Sequence, residues 1–404
     1  MKIAIVGQGY VGLHLALGAA SVGHSIVGFD INENLIGELL KSKTLVPGID
    51  QKKLSELLIS GKYLPTTKAE LINGNDVVII AVPTPLDINR LPELTFIEEA
   101  CRLIAKHQTK GCLIVNESTS YPGTLRNCIK KIIESNSEVD FLYASAPERI
   151  DPGNQFWGIT NTPRIVSGLT SEATTKVSEL YKSFCANVSE VSSPEVAEAS
   201  KIFENTFRQI NIALANEFSV ISHKIGFSAN EAIAAASTKP FGFMPFFPSI
   251  GVGGHCIPID PSYLSYAAEL AGAKASFINL ANKTNLSMVQ YTVSRLCDFM
   301  GGSLKGKSIQ IVGISYKPDV PDLRESPALI LINELEAQGG LVTWHDPVVQ
   351  EFRGVKSFDL NPNVDLGLLV VPHGNIDFDV WKEHGTNVID LSANSINYGW
   401  PKFF

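Results

Sequence analysis

The chain has 404 residues, with 33 Lys and Arg against 41 Asp and Glu and a formal net charge of −8. That length suits two to three domains, and the mildly acidic balance excludes wide electrostatic contact with nucleic acid or an anionic membrane, leaving room only for a local basic pocket. At 45% hydrophobic and 18% charged residues, a disordered chain is excluded as well. Six cysteines stand at 101, 112, 128, 185, 256 and 297 with no CxxC pair, so neither a disulfide scaffold nor a metal site is expected and a reducing cytoplasm is the expected compartment. Apolar runs such as 76–82 and 366–371 fall short of the ~18 residues that a membrane span needs, and Lys2 opens directly into an apolar run with no room for a secretory leader.

In chain order, KIAIV (2–6) reads as a strand, GQGYVG (7–12) as a glycine turn, LHLALGAASVG as a helix and SIVGFD, ending in Asp30, as a second strand. Further strands are expected in 76–85, 111–119 and 141–150, with helical stretches between them. Such alternation predicts a parallel sheet with ligands at the carboxyl ends of its strands. Between Pro194 and Gly226 there is no Gly or Pro, and a long helix fits, with room for a break. Helical character continues at 228–236 and, after a Gly/Pro/Phe-rich loop at 239–261, over 262–300. From Lys305 the α/β pattern returns. The fold class is therefore α/β, with two Rossmann-like domains with parallel sheets joined by a central all-helical region. The expected boundaries are 1–193, 194–300 and 301–404.

The spacing of Gly7, Gly9 and Gly12 between a strand and a helix, with Asp30 closing the next strand, is the pattern of a dinucleotide site. Gly9 lets backbone approach a pyrophosphate, Gly12 permits close helix–sheet packing, and the helix N-terminus favours the anion. A carboxylate at 30 accepts from ribose hydroxyls and repels a 2′-phosphate, which favours NAD over NADP.

The segment PSIGVGGHCIPIDP (248–261) places Cys256 after three glycines in four positions (251, 253, 254) and four residues before Asp260. Flexible backbone of this kind suits a loop wrapped around a diphosphate. A thiol there is either a small packing group or a nucleophile, and the neighbouring acid and the dinucleotide site favour the nucleophile. The other five cysteines sit in helical or strand contexts and read as packing. His255 is open between a base and a structural role, because adjacent side chains often point apart. A nucleophilic thiol has a clear use in a dehydrogenase: an aldehyde cannot give up a hydride until something adds to it. Thiolate addition gives a thiohemiacetal, a second oxidation gives a thioester, and water releases a carboxylate, with two NAD+ reduced. Lys201 and Asn205, four apart on the long helix, are either a solvated pair or two donors for an oxyanion.

With these residues assembled, the chain resembles the UDP-glucose/GDP-mannose dehydrogenase family of NAD-dependent four-electron oxidoreductases. The resemblance runs over GQGYVG, VPTP (82–85), ESTSYPGT (117–124), APERIDPG (146–153), KIFEN (201–205), GVGGHCIPIDP (251–261) and YKPDVPDLRESP (316–327). It implies Cys256 as nucleophile, Lys201 and Asn205 at the oxyanion, Asp260 holding a water, and Thr119 and Glu148 beside the reacting carbon. It also implies Gly7, Gly9, Tyr10, Val11, Gly12, Asp30, Thr84, Thr119 and Arg324 at the cofactor. On the substrate side it implies Glu148, Lys201, Asn205, Phe246, Gly253 and Lys317, the last at the nucleotide-sugar phosphates. The stretch STKPFGFMPFFP (237–248) looks most like members that oxidise UDP-N-acetylglucosamine, with UDP-glucose and UDP-N-acetylmannosamine as alternatives. A helical dimer contact, giving a homodimer or higher homo-oligomer, and a role in polysaccharide synthesis are the family's expectations. Ser249-Ile250 in place of the usual Gly-Pro, and Pro321 where an acid is common, depart from the pattern. A two-electron β-hydroxyacid dehydrogenase or a non-catalytic dinucleotide sensor are the rival readings; NADH per substrate separates the first, and the presence of Cys256, Lys201 and Asp260 weighs against the second.

Overall fold

A computed structural model describes every residue except Leu45, Pro152, Gly153, Gln155 and Ser395, so the last two residues of the APERIDPG motif lie outside the described residues. The chain divides into two compact units, residues 1–204 with 262–273 and residues 205–261 with 274–404.

The first unit is built on one sheet of β1 (Lys2–Val6), β2 (Ser25–Phe29), β3 (Tyr63–Thr66), β4 (Val77–Ile80), β5 (Leu113–Asn116), β6 (Leu142–Ser145), β7 (Arg164–Gly168) and β8 (Val188–Glu190). Its order is β3-β2-β1-β4-β5-β6-β7-β8. Helices α1 (Tyr10–Ser21), α2 (Glu33–Leu40), α3 (Gln51–Ile59), α4 (Thr95–His107), α5 (Lys130–Asn136) and α6 (Ser171–Lys182) connect the strands. A wide helical turn, Leu125–Ile129, leads into α5. The strands are apolar on both faces because both faces are covered. Ile3, Ile5, Val77, Ile79, Leu113 and Val115 join Leu13, Leu15 and Leu180 on one side. Ala4, Val6, Val78, Ile80 and Ile114 meet Ile97, Ile104 and Leu125 on the other. The strand order reverses between β1 and β4, where open α/β sheets bind ligands. One feature departs from the expected parallel sheet: β7 runs antiparallel to β6.

Helix α7 (Pro194–Ile225) runs through 32 residues without the break the sequence allowed. Pro194 sits in its first turn, where a missing N–H is harmless. Gly226, at φ +97°, ends it by donating to the Ser222 carbonyl at 2.8 Å. It is followed by α8 (Ala229–Ala236), α9 (Asp260–Leu270) and α10 (Ser276–Phe299). Ser228 accepts from the Glu231 amide and caps α8.

The second unit carries β9 (Ser308–Val312), α11 (Pro327–Ala337), β10 (Leu341–His345), the small hairpin β11 (Glu351–Phe352) and β12 (Val355–Lys356), β13 (Leu366–Leu369), α12 (Asp379–Glu383) and β14 (Val388–Asp390). Its main sheet is parallel, in the order β10-β9-β13-β14. Ile309, Ile311, Leu366 and Leu368 pack with Met288, Val293 and Leu296 of α10 and Leu331 and Leu335 of α11. Among the described residues no helix is long and apolar enough to cross a membrane.

Candidate active site

The glycine turn of the first unit is shaped by close approach. Gly7 has φ +97°, and a Cβ there would lie 2.4 Å from the Ala81 carbonyl oxygen at the end of β4. A Cβ at Gly12 would lie 1.9 Å from the Gly7 carbonyl oxygen, so α1 can start this close to the turn only with glycine there. A Cβ at Gly9 would meet nothing within 4 Å, and Gly9 stands at the N-cap of α1 with no side chain capping that end. Asp30 accepts from the amides of Gln8 at 2.7 Å and Asn32 at 2.9 Å, which holds its carboxylate beside the turn. Tyr10 packs on His14 at 4.7 Å between ring centroids, and Val11 and Thr84 are half-buried. Open space over Gly9, an uncapped helix start and a tethered acid fit the pyrophosphate and ribose of a dinucleotide.

In the same unit, Lys201 of α7 donates to the backbone carbonyl of Glu148 and lies 3.4 Å from its Oε2. Both side chains are buried. Glu148 Oε1 is buried with no hydrogen-bond partner among the described residues. A buried acceptor left open is costly, by about 1–3 kcal/mol, and it marks a place for a water or a substrate hydroxyl. The Glu148 amide donates to the Glu117 carbonyl at 3.3 Å, and Thr119, half-buried, follows two residues after Glu117.

In the second unit, Asn205 donates from Nδ2 to Asp260 Oδ2 at 2.6 Å, and the Asp260 amide donates to the Cys256 carbonyl at 2.8 Å. Asp260 is the first residue of α9 and not the loop residue the sequence suggested. Cys256 is half-buried, and its Sγ lies 3.1 Å from His255 Nδ1, so these two neighbours do meet. All six cysteines are free. Burial pushes up the thiols of Cys101, Cys112, Cys128, Cys185 and Cys297, as befits inert packing groups.

The glycines before Cys256 have a packing reason that the sequence did not reveal. A Cβ at Gly253 would lie 2.9 Å from both Pro327 Cδ and Tyr316 Cβ, and one at Gly254 2.8 Å from the Tyr316 ring. The Gly254 amide donates to the Arg324 carbonyl at 3.1 Å. Arg324 in turn grips Asp322 through Nε and Nη2. Burial would raise the Asp322 carboxyl, but the Arg324 hydrogen bonds prevail and hold it below the usual range. Lys317 is half-buried, its carbonyl accepting from Ser315 Oγ at 2.9 Å, and Phe246 packs edge-on against Phe207 at 5.9 Å. The departure at Ser249-Ile250 is accommodated locally: Ser249 donates its amide to Asn216 Oδ1 at 2.8 Å and its hydroxyl to the Gly251 carbonyl, while Ile250 joins the core.

The chain matches three successive domains of one family: an NAD binding domain over 1–185, a central domain over 195–287 and a UDP binding domain over 310–382. It belongs to the UDP-glucose/GDP-mannose dehydrogenase family. The Protein CapL of Staphylococcus aureus is 35% identical, covering 92% of this chain and 90% of that one. A UDP-N-acetyl-D-glucosamine 6-dehydrogenase of Pseudomonas aeruginosa is 34% identical, covering 90% and 86%. The solved structure of a UDP-N-acetylmannosamine dehydrogenase from Pyrococcus horikoshii superposes with a TM-score of 0.88 at 31% identity, covering 100% and 97%. The protein is an NAD-dependent UDP-sugar dehydrogenase, with Gly7, Gly9, Gly12 and Asp30 in the NAD binding domain and Lys317 and Arg324 in the UDP binding domain.

Within this dehydrogenase the sequence missed a buried charge cluster beneath the 117–124 loop. Glu117 accepts from Arg164 Nη1 and from the Tyr181 hydroxyl, and all three are fully buried. Burial opposes the Arg164 charge, and Glu117 more than offsets it, so Arg164 stays cationic. Nothing in the sequence pairs Glu117 with residues 47 and 64 positions away.

Proposed function

We propose that this dehydrogenase oxidises the primary alcohol at carbon 6 of a UDP-sugar, UDP-N-acetylglucosamine in the first instance, to the uronic acid through a thioester on Cys256. NAD+ when bound supplies the hydride acceptor for each of the two oxidations. In the first, the alcohol loses a hydride and a proton to give the aldehyde. The Cys256 thiol adds to the aldehyde carbon, forming the C–S bond and passing its proton to the oxygen. The second oxidation turns this thiohemiacetal into the thioester, and water then breaks the C–S bond to give the carboxylic acid and the free thiol. Lys201 and Asn205 donate to the oxyanions, a water on Asp260 takes up the proton, and Thr119 and Glu148 position the hydrolytic water.

The observation that carries this reading is the Cys256 turn, in which the thiol at 256 leads by two backbone hydrogen bonds into α9 and its first residue, Asp260, holds Asn205. The open acceptor at Glu148 Oε1 supports a water at that position. The 237–248 stretch favours UDP-N-acetylglucosamine, and the likeness to the Pyrococcus enzyme favours UDP-N-acetylmannosamine as the second candidate. Phe203, Phe207, Leu214, Ile221 and Ile225, all exposed along α7, suit a homodimer contact. We read residues 194–300 as the central segment between the two nucleotide-binding domains, in a cytoplasmic enzyme.

A panel of UDP-sugars with NAD+ and mass spectrometry of the product tests the reading. Two NADH per uronate are expected, and Cys256→Ser is expected to lower uronate formation at least about a thousandfold while NAD still binds. One NADH per turnover, or undiminished uronate from Cys256→Ser, overturns it.

A further inference from the structure

Glu198 is a buried acid that neither the motifs nor the mechanism above uses. It is 1% exposed and lies on α7, three residues before Lys201. Its Oε2 accepts from the Gly123 amide at 2.6 Å and its Oε1 from the Leu125 amide at 2.9 Å. These are the amides of a particular piece of backbone. Tyr121-Pro122-Gly123-Thr124 forms a turn closed by the Thr124 amide on the Tyr121 carbonyl at 3.1 Å, with Gly123 at φ +96°. Leu125 then opens the helical turn that leads into α5. A helix start leaves its first amides without intrahelical partners, and Thr124 at the N-cap makes no side-chain capping bond. Glu198 supplies that cap from 73 residues away.

The other end of the same loop is held as firmly. Glu117 is bound by Arg164 and Tyr181, Ser118 Oγ donates to the Val82 carbonyl at 2.7 Å, and Asn116 Nδ2 donates to the Ser118 carbonyl and to Ser120 Oγ at 3.1 Å. The Glu148 amide rests on the Glu117 carbonyl, and Lys201 on the Glu148 carbonyl. The contacts close a ring: from Lys201 along α7 to Glu198, across to Gly123 and Leu125, back along the loop through Thr119 to Glu117, and by Glu148 to Lys201 again.

We propose that Glu198 is a positioning residue for the oxidation: the two oxygens of its carboxyl group tie the loop bearing Thr119 to the helix bearing Lys201 and so fix the distance between these two groups. Rigid placement of reacting partners is worth more to the chemical step than to ground-state binding, because a displacement of about 1 Å costs on the order of a hundredfold in rate. The inference rests on the roles given above to Thr119 and Lys201.

Glu198→Gln is the test, since an amide has one acceptor oxygen for two amide donors and turns its own N–H against the other. The expected result is a fall in kcat of about 10- to 100-fold, with KM for NAD+ and for the UDP-sugar changed less than about twofold. Glu198→Asp, which keeps both carboxyl oxygens on a shorter arm, is expected to recover part of the loss. Amide hydrogen exchange on the unmodified enzyme gives a second reading that needs no variant to fold: Gly123 and Leu125 are expected among the slowly exchanging amides. Fast exchange at both overturns the proposal, as does an unchanged kcat in a folded Glu198→Gln, or a loss shared equally by kcat and the two KM values. A wild-type enzyme that forms no NADH with any UDP-sugar instead overturns the catalytic reading.

Discussion

Two glycine turns in this molecule are made the same way and put to different use. In the first unit β1 is followed by Gly7, which packs on the Ala81 carbonyl just past β4, and β2 is followed by Asp30. In the second, β9 is followed by Gly313, at φ +82°, which packs on the Val371 carbonyl beyond β13, and β10 is followed by Asp346. The difference lies in what the acid is left free to do. Asp30 is half-buried and accepts two amides. Asp346 is 1% exposed: its Oδ2 takes the amides of Ile314 and Ser315 and faces His373 Nε2, and its Oδ1 takes those of Val348 and Val349. A carboxylate offers about four acceptor sites, so among the described residues Asp346 is fully occupied by the protein and Asp30 is not. The helix also differs. In the first unit α1 begins at Tyr10, soon after β1 ends at Val6, whereas in the second the chain runs through 313–326, the loop of Lys317 and Arg324, before α11. The same strand–glycine–acid pattern therefore leaves an acid with acceptor sites to spare in one half and a fully occupied acid beneath a long loop in the other, which is the division expected if the first binds a ligand and the second is a scaffold.

The sharpest way to break this comparison is to remove each acid. Asp346→Ala strands four amides, three of them buried, and is expected to destabilise the protein by about 3 kcal/mol or more, a fall in Tm of roughly 6 °C or more by calorimetry. Asp30→Ala is expected to raise KM for NAD+ at least about tenfold and to narrow the preference for NAD+ over NADP+, with Tm within about 2 °C, because it releases two amides rather than four and that of Asn32 is exposed. If Asp30→Ala unfolds the enzyme, or Asp346→Ala leaves Tm unmoved, the division of labour is wrong.

A smaller effect is expected in pH dependence, where the two units carry acids displaced in opposite directions. Burial works to raise Asp346, but His373 and the amides of Ile314 and Val349 hold it below its ordinary value. Its contribution to stability is thus present above pH about 3.8 and lost as pH falls through the depressed folded value. Glu198 is pushed up to about 8 by burial, against the pull of the Leu125 and Gly123 amides, with Glu195 adding to the rise and Arg126 opposing it. Its contribution is present below pH about 4.5 and lost as pH rises through about 8. Circular dichroism melts across pH should lose the acid-side slope in Asp346→Asn and the slope between about 4.5 and 8 in Glu198→Gln. Slopes unchanged in both variants would assign the pH dependence to other groups.

Much of the binding half was legible from local pattern. The turn at 7–12 and Asp30 follow from what backbone must do where a strand meets a helix, and α7 follows from an uninterrupted helical period between Pro194 and Gly226. The Cys256–Asp260 spacing was visible as well, though its glycines pointed to a flexible loop and instead pack against Tyr316 and Pro327. The contact of His255 with Cys256 depended on how the 254–260 backbone turns, which spacing does not report. The antiparallel β7 carried no signal of its own, because strand direction is settled by pairing.

By itself the sequence determined the α/β class, the dinucleotide turn, the thiol worth singling out and the family, since each rests on residue types at short, regular separations. Tertiary structure decided which acids are spent and which are open. Asp30 and Asp346 end equivalent strands, and Glu117, Glu148 and Glu198 all stand in or near motifs, yet their partners lie 32 to 75 residues away at the farthest contact of each buried acid. Whether a carboxylate holds backbone or awaits a ligand depends on which amides packing brings to it, and that is settled only when the chain folds.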